Sequence, residues 1–110
     1  MLFSACAVTE CGPLYIKNQD CFAMTGQENI GCVSHAAIHL HGEVYQYAVC
    51  DGIGSMPGSE KAAEIACNIL INPLPISDLR KQLWKGMLQA EERVCQLGRG
   101  GTTAVALYSD

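Results

Sequence analysis

The chain has 110 residues and a net charge of −4, with 49% apolar and 16% charged side chains. That is enough for one small globular domain and too apolar for a disordered chain. The seven Lys and Arg are scattered, which excludes the clustered basic surfaces that nucleic acid and anionic lipid require.

The longest apolar stretches, Leu2–Val8 and Ile65–Ile71, are far short of the roughly 20 residues of a membrane span. No basic region precedes the first, so it does not read as a signal peptide. The expected compartment is the cytoplasm. Seven cysteines, an odd number with no C-x-x-C spacing, argue against a disulfide framework or a zinc knuckle. They read as small, buried, reduced thiols.

The first half is a series of short β-like runs. Leu2–Thr9 breaks at Gly12-Pro13. Cys21–Thr25 follows, and Gly26-Gln27-Glu28-Asn29 reads as a turn. Cys32–His41 alternates, with Ile38 and Leu40 on one face and His35, His39 and His41 on the other. These histidines read as strand residues; a zinc site at His39-x-His41 is the rarer alternative. Gly42-Glu43 is placed to turn a hairpin into Val44–Cys50, where Tyr45, Tyr47 and Val49 alternate. A glycine-rich loop, Asp51–Gly58, ends the β region.

Helical spacing then begins, at Ala62, Ile65, Ala66 and Ile69. Ser59 suits the N-cap and Glu60 the first turn. Asn72-Pro73-Leu74-Pro75 stops the helix. A second helix is expected from Ser77-Asp78, with an apolar stripe of Leu79, Leu83 and Met87 widened by Trp84, Leu88, Val94 and Cys95, and Gly98 just beyond its end. Gly100-Gly101 leads into Thr102–Tyr108, an uncharged run suited to a buried central strand. The sequence given stops two residues later, before any neighbour on the far side, which reads as truncation.

Three segments are placed to carry chemistry. In Val49-Cys50-Asp51-Gly52-Ile53-Gly54-Ser55 a carboxylate follows a strand and precedes alternating glycines. Asp51 can ligate a hard cation through its side chain and Gly52 through its carbonyl; the alternative is an ordinary Asp-Gly turn. A buried thiol is the reading for the adjacent Cys50. Asn18-Gln19-Asp20 stands just before a strand run, where a turn Asn or Asp is the plain reading. Gly100-Gly101-Thr102-Thr103 lacks the lysine and the helix of a phosphate loop.

In this order and spacing the segments resemble the PPM family, the type-2C phosphatases, from Gly12 to Leu107. Members show Gly-x-x-Arg-x-x-Asn-Glu-Asp, here Gly12-Pro13-Leu14-Tyr15-Ile16-Lys17-Asn18-Gln19-Asp20. They then show Asp-Gly-x-Gly-Gly with Gly-x-Glu-x-Ala downstream, here Asp51–Ser55 and Gly58-Ser59-Glu60-Lys61-Ala62. Gly-Thr-Thr opening a strand is Gly101-Thr102-Thr103 here. The resemblance implies an α+β fold, an antiparallel β-sandwich flanked by antiparallel helix pairs (four layers, αββα), represented by roughly its first half. The expected layout of this partial domain, residues 1–110, is strands within 1–50, a metal loop at 51–58, a helix pair at 59–97 and a strand at 102–108.

It also implies metal-dependent hydrolysis of phosphoserine and phosphothreonine at a dinuclear Mn²⁺ or Mg²⁺ centre, acting on a phosphorylated protein. Asp51 would bridge the metals, the Gly52 carbonyl would bind one, and Asp20 would orient metal-bound water. Tyr15 stands where members have the phosphate-gripping Arg, so Tyr15 and the nearby Lys17 are the candidate phosphate contacts. Gln19 replaces a Glu and Ser55 a Gly. The family's further metal-binding aspartates lie beyond the Gly-Thr-Thr strand. A half-domain would expose an apolar sheet face and call for the other half or a partner to cover it. The alternatives are a non-catalytic phosphatase-like binding or regulatory module, or an inactive remnant.

Overall fold

In the computed structural model, residues 2–14, 16–25, 35–41 and 45–109 are described, with backbone alone for 2–6 and 35–41. Tyr15, the expected turn Gly26–Asn29 and the expected hairpin turn Gly42-Glu43 lie outside the described residues. So do the side chains of His35, His39 and His41.

Among the described residues, backbone pairing sorts five strands into two antiparallel sheets. β1 (Leu2–Val8) pairs with β3 (His35–His41), while β2 (Asp20–Met24), β4 (Tyr45–Asp51) and β5 (Val105–Ser109) form the order β2-β4-β5. Among the described residues, β3 and β4 lie in different sheets and do not pair as the expected hairpin would have them. Its two strands alternate alike, and periodicity identifies a strand without identifying its partner. The two helices, α1 (Ser59–Leu70) and α2 (Leu79–Gln96), stand between β4 and β5 in sequence. The fold is α+β. Among the described residues, no helix is long and apolar enough to cross a membrane.

Side-chain alternation gives the three-stranded sheet two unlike faces. Cys21 and Ala23 of β2 and Ala48 and Cys50 of β4 pack against Ala63, Ala66, Cys67 and Leu70 of α1. Small residues on both sides let helix and sheet approach closely. The α1 stripe is thus Ala62, Ala63, Ala66, Cys67 and Leu70, with Ile65 and Ile69 only half-buried. The expected stripe is rotated by about one residue, because alanines and a cysteine fill the tight contact and the bulkier isoleucines flank it. Three thiols meet in this core. The Cys67 Sγ lies 3.3 Å from the Cys21 carbonyl oxygen, and hydrogen bonding to Cys21 and Cys50, then burial, push its pKa up. Cys11 and Cys95 are exposed instead.

α2 buries only Gly86 and Ala90 fully. Met87 and Val94 pack on the core edge, but Trp84 and Leu88 are exposed and do not widen the stripe. A Cβ at Gly86 would stand 3.2 Å from the Tyr108 hydroxyl, and that hydroxyl donates to the Leu70 carbonyl. Helix pair and β5 are thereby stitched together. Asp78 caps α2, accepting from the N–H groups of Arg80 and Lys81 at 2.9 and 3.2 Å, and Gly98 follows the helix at φ 73°.

The other face of the sheet carries Phe22, Met24 and Tyr47, against which Ala7 of β1 packs. On β5 that face holds Val105 and Leu107, 71% and 61% exposed, beside Val49 at 57%. The strand expected to be buried and central pairs only with β4 among the described residues. Its uncharged composition fits coverage on both faces, whereas α2 covers one.

Candidate metal and phosphate site

The three motif segments converge on one end of the β2-β4-β5 sheet. Asp20 opens β2 and Asp51 closes β4, and the two are direct cross-strand partners. The Gly52 N–H donates to the Gln19 carbonyl at 3.2 Å, and the Thr25 N–H to the Gln46 carbonyl at 3.0 Å. These mark 19·52 and 25·46 as hydrogen-bonded pairs. Counting in twos between them, 20·51 is a non-hydrogen-bonded pair, the class in which side chains stand closest. Both carboxylates project from the face turned away from α1, in the row next to Phe22 and Val49.

Glycine is required at position 52. A Cβ there would stand 2.7 Å from the Gln19 carbonyl oxygen and 2.8 Å from that of Ser59. Thr103 supports the other side of the loop. Its N–H donates to the Asp51 carbonyl at 2.8 Å, and its Oγ accepts from the Asp51 N–H at 3.3 Å. The Ile53 N–H donates to the Gly101 carbonyl at 2.9 Å. Gly-Thr-Thr thus acts as a backbone brace for the Asp-Gly turn, and no phosphate loop forms.

Ser59 is the first helical residue and not the cap, which falls on Gly58 in the left-handed region at φ 87°. The Ser59 hydroxyl is committed elsewhere. It donates to the Met56 carbonyl at 2.9 Å and accepts from the Gly101 N–H at 3.2 Å. Gly100, at φ 75°, packs on the Gly58 backbone, where a Cβ would fall 2.6 Å from the Gly58 carbonyl carbon.

Asn18 organises the approach to β2. Its side-chain oxygen accepts from the Asp20 N–H at 3.1 Å, and its amide donates to the Thr9 hydroxyl at 2.9 Å. A cleft of about 320 Å³ results, lined by Glu10, Lys17, Asn18, Gln19, Asp20, Asp51, Gly52 and Gly54 among others. Partial withdrawal from water, then a hydrogen bond to Asp51 and its charge, raise the Asp20 pKa above the ordinary 3.8. A cation beside Asp20 would oppose that shift by favouring its charged form.

Lys17 stands at the rim, 3.5 Å from the Glu60 carboxylate. The pKa of Glu60 is lowered chiefly by its own backbone N–H, against an opposing effect of burial, then by Lys17 and the Gln19 amide. Gln19 therefore meets Glu60 without the repulsion a second carboxylate would bring. Asp20, Asp51, Gly52 and Lys17 all line this cleft, while Tyr15 lies outside the described residues. Glu10 and the Lys17–Glu60 tie were not read from sequence. Glu10 sits in an unpatterned break after β1, and Glu60 looked like an ordinary first-turn acid.

The donor set is hard oxygen, suited to Mg²⁺ or Mn²⁺. Among the described residues, no group of three or more His, Cys, Asp or Glu is arranged to hold a metal ion. A cation here would rest on the Asp20·Asp51 pair and water. No protein-family model, curated protein or solved structure matches the chain.

Proposed function

We propose that the chain forms the first half of a PPM-type protein serine/threonine phosphatase domain, hydrolysing phosphoserine and phosphothreonine with Mn²⁺ or Mg²⁺. The observation that carries this reading is the Asp20·Asp51 carboxyl pair, set in a polar cleft with the Gly52 backbone and Lys17 at its edge. In this reading the two sheets are the inner layers of a four-layer αββα sandwich, and α1 and α2 form one outer layer. Asp51 is the principal metal ligand, Gly52 adds its carbonyl, and Asp20 orients metal-bound water. Lys17 meets the phosphoryl group, Tyr15 adding a neutral contact where members have Arg. Bound metal would supply an activated water and offset charge on the phosphoryl oxygens. Two carboxylates hold such an ion weakly, so full activity calls for further carboxylates from outside these 110 residues. Among the described residues, the thiols of Cys50, Cys67 and Cys95 stand outside any disulfide, which fits a reducing compartment such as the cytoplasm.

The deciding experiment measures Mn²⁺ uptake by electron paramagnetic resonance and phosphate release from a phosphothreonine peptide, for the protein and for Asp51→Asn. The expected result is weak Mn²⁺ binding and Mn²⁺-dependent release, both lost in the variant. Unchanged uptake and turnover in Asp51→Asn would overturn the assignment. A second reading, a non-catalytic phosphatase-like binding module, is favoured by the neutral Gln19 amide near Glu60 and the two-carboxylate donor set. It predicts phosphopeptide binding without turnover, and no gain in rate from Tyr15→Arg with Gln19→Glu.

A further inference from the structure

A second cavity of about 420 Å³ adjoins the carboxylate cleft, lined by Leu14, Ile16, Lys17, Gln19 and Gly54. Lys17, Gln19 and Gly54 line both spaces, so they form a common wall with a cation at its rim. The two sides of that wall differ in chemistry. One holds Asp20 and Asp51. The other holds Leu14 and Ile16, whose side chains stand 90% and 101% exposed. Two fully solvated aliphatic side chains beside a polar cleft lose the gain that burial would bring, and they regain it when an apolar group lies on them.

We infer that Leu14 and Ile16 form a specificity subsite that receives an aliphatic side chain flanking the phosphorylated residue of a peptide substrate. The inference rests on the phosphatase reading above and adds the substrate's chemistry. The common wall dictates the occupant. A molecule that places a phosphoryl group at the carboxylates and Lys17 must cross Lys17–Gly54 to reach the apolar side, which an extended peptide does with the residue two positions from the phosphorylated one, whose side chain points to the same face. A free phosphate or a small phosphate ester fills one space only.

The test uses two labelled peptides carrying a non-hydrolysable phosphonate analogue of phosphothreonine, one flanked two positions away by leucines and one by serines. Their binding to the protein in Mn²⁺ is followed by fluorescence anisotropy. The leucine-flanked peptide is expected to bind about tenfold more tightly, as burial of aliphatic surface between its leucine and the exposed Leu14 and Ile16 allows. Ile16→Asp and Leu14→Asp should abolish the difference. Both residues are exposed, so folding should survive, and Leu74→Asp on the exposed connection between α1 and α2 serves as the control. Equal affinity for the two peptides, or a preference that survives Ile16→Asp with Leu14→Asp, would overturn the subsite, as would failure to bind either. Mn²⁺-dependent hydrolysis of p-nitrophenyl phosphate, which has no flanking side chain, reports on the phosphatase reading separately. Hydrolysis with no peptide preference defeats the subsite alone.

Discussion

Two carboxylates facing each other across a non-hydrogen-bonded pair are an unfavourable choice for stability alone. Like charges directly opposite on a sheet cost ~0.2–1 kcal/mol, and exposure of Asp20 places this pair toward the lower end. Because the Asp20 pKa is raised on folding, its contribution to stability is full below the ordinary 3.8. It is lost as pH rises through the raised value. In EDTA at neutral pH, Asp20→Asn should therefore raise the unfolding midpoint slightly, and the gain should vanish in acid. With millimolar Mn²⁺ the order should reverse, since the native protein gains stability by binding and the variant gains less. Thermal unfolding with and without metal checks this, and a variant that responds to Mn²⁺ like the native chain would remove Asp20 from the site. Gly52 gives a second test at this scale. Its missing Cβ space is bounded by backbone oxygens of Gln19 and Ser59, which cannot rotate aside. Gly52→Ala should cost about 1–3 kcal/mol in urea unfolding and abolish Mn²⁺ uptake. Retained uptake at native stability would show that the loop tolerates the shift.

At the scale of elements, the site depends on three connections meeting at the start of α1. Ser59 is buried at the junction, linking Met56 to Gly101. Ser59→Ala leaves the Gly101 N–H unpaired, a loss of about 1–3 kcal/mol, and should weaken Mn²⁺ binding by loosening Asp51-Gly52 against Thr103. Chemical denaturation with a parallel Mn²⁺ titration tests both consequences, and a stable variant with native affinity would refute the coupling. The helices and their stops were legible in sequence, because proline at Pro73 and an Asp78 cap act locally. The role of Ser59 was not. A serine before a helical run looks the same whether its hydroxyl caps the helix or reaches a chain segment about forty residues away. The rotation of the α1 stripe has the same origin. Ala62, Ala63, Ala66 and Ile69 satisfy helical periodicity around more than one direction, and only the small residues opposite them on β2 and β4 choose among these. The partnership of Asp20 and Asp51 was suggested by the motif order, but its closeness depends on register, which no local pattern encodes.

Across the whole molecule, one sheet face runs from chemistry to exposed hydrocarbon. Its rows are Asp20·Asp51, then Phe22·Val49·Val105, then Met24·Tyr47·Leu107. Ala7 packs near the β2 side, while Val49, Val105 and Leu107 stand more than half exposed. The half-domain resemblance anticipated an apolar sheet face in want of cover, and the uncharged run of β5 anticipated a strand with no neighbour on its far side, as the pairing has it among the described residues. A face of this kind, beside a strand with one ladder partner among the described residues, is prone to associate through apolar contact and through its backbone edge. The chain should therefore self-associate as concentration rises, seen as a shift in sedimentation velocity. Val105→Lys with Leu107→Lys should return it toward monomer. Both side chains are largely solvated already, so the substitutions should change stability by only about 0.5 kcal/mol. They leave Asp20, Asp51 and Gly52 untouched, so Mn²⁺ uptake should persist. Association unaltered by the double substitution would place the contact elsewhere, with exposed Trp84 and Leu88 of α2 the next surface to alter. Association and Mn²⁺ uptake lost together would instead mean that the carboxylate row forms only when this face is covered.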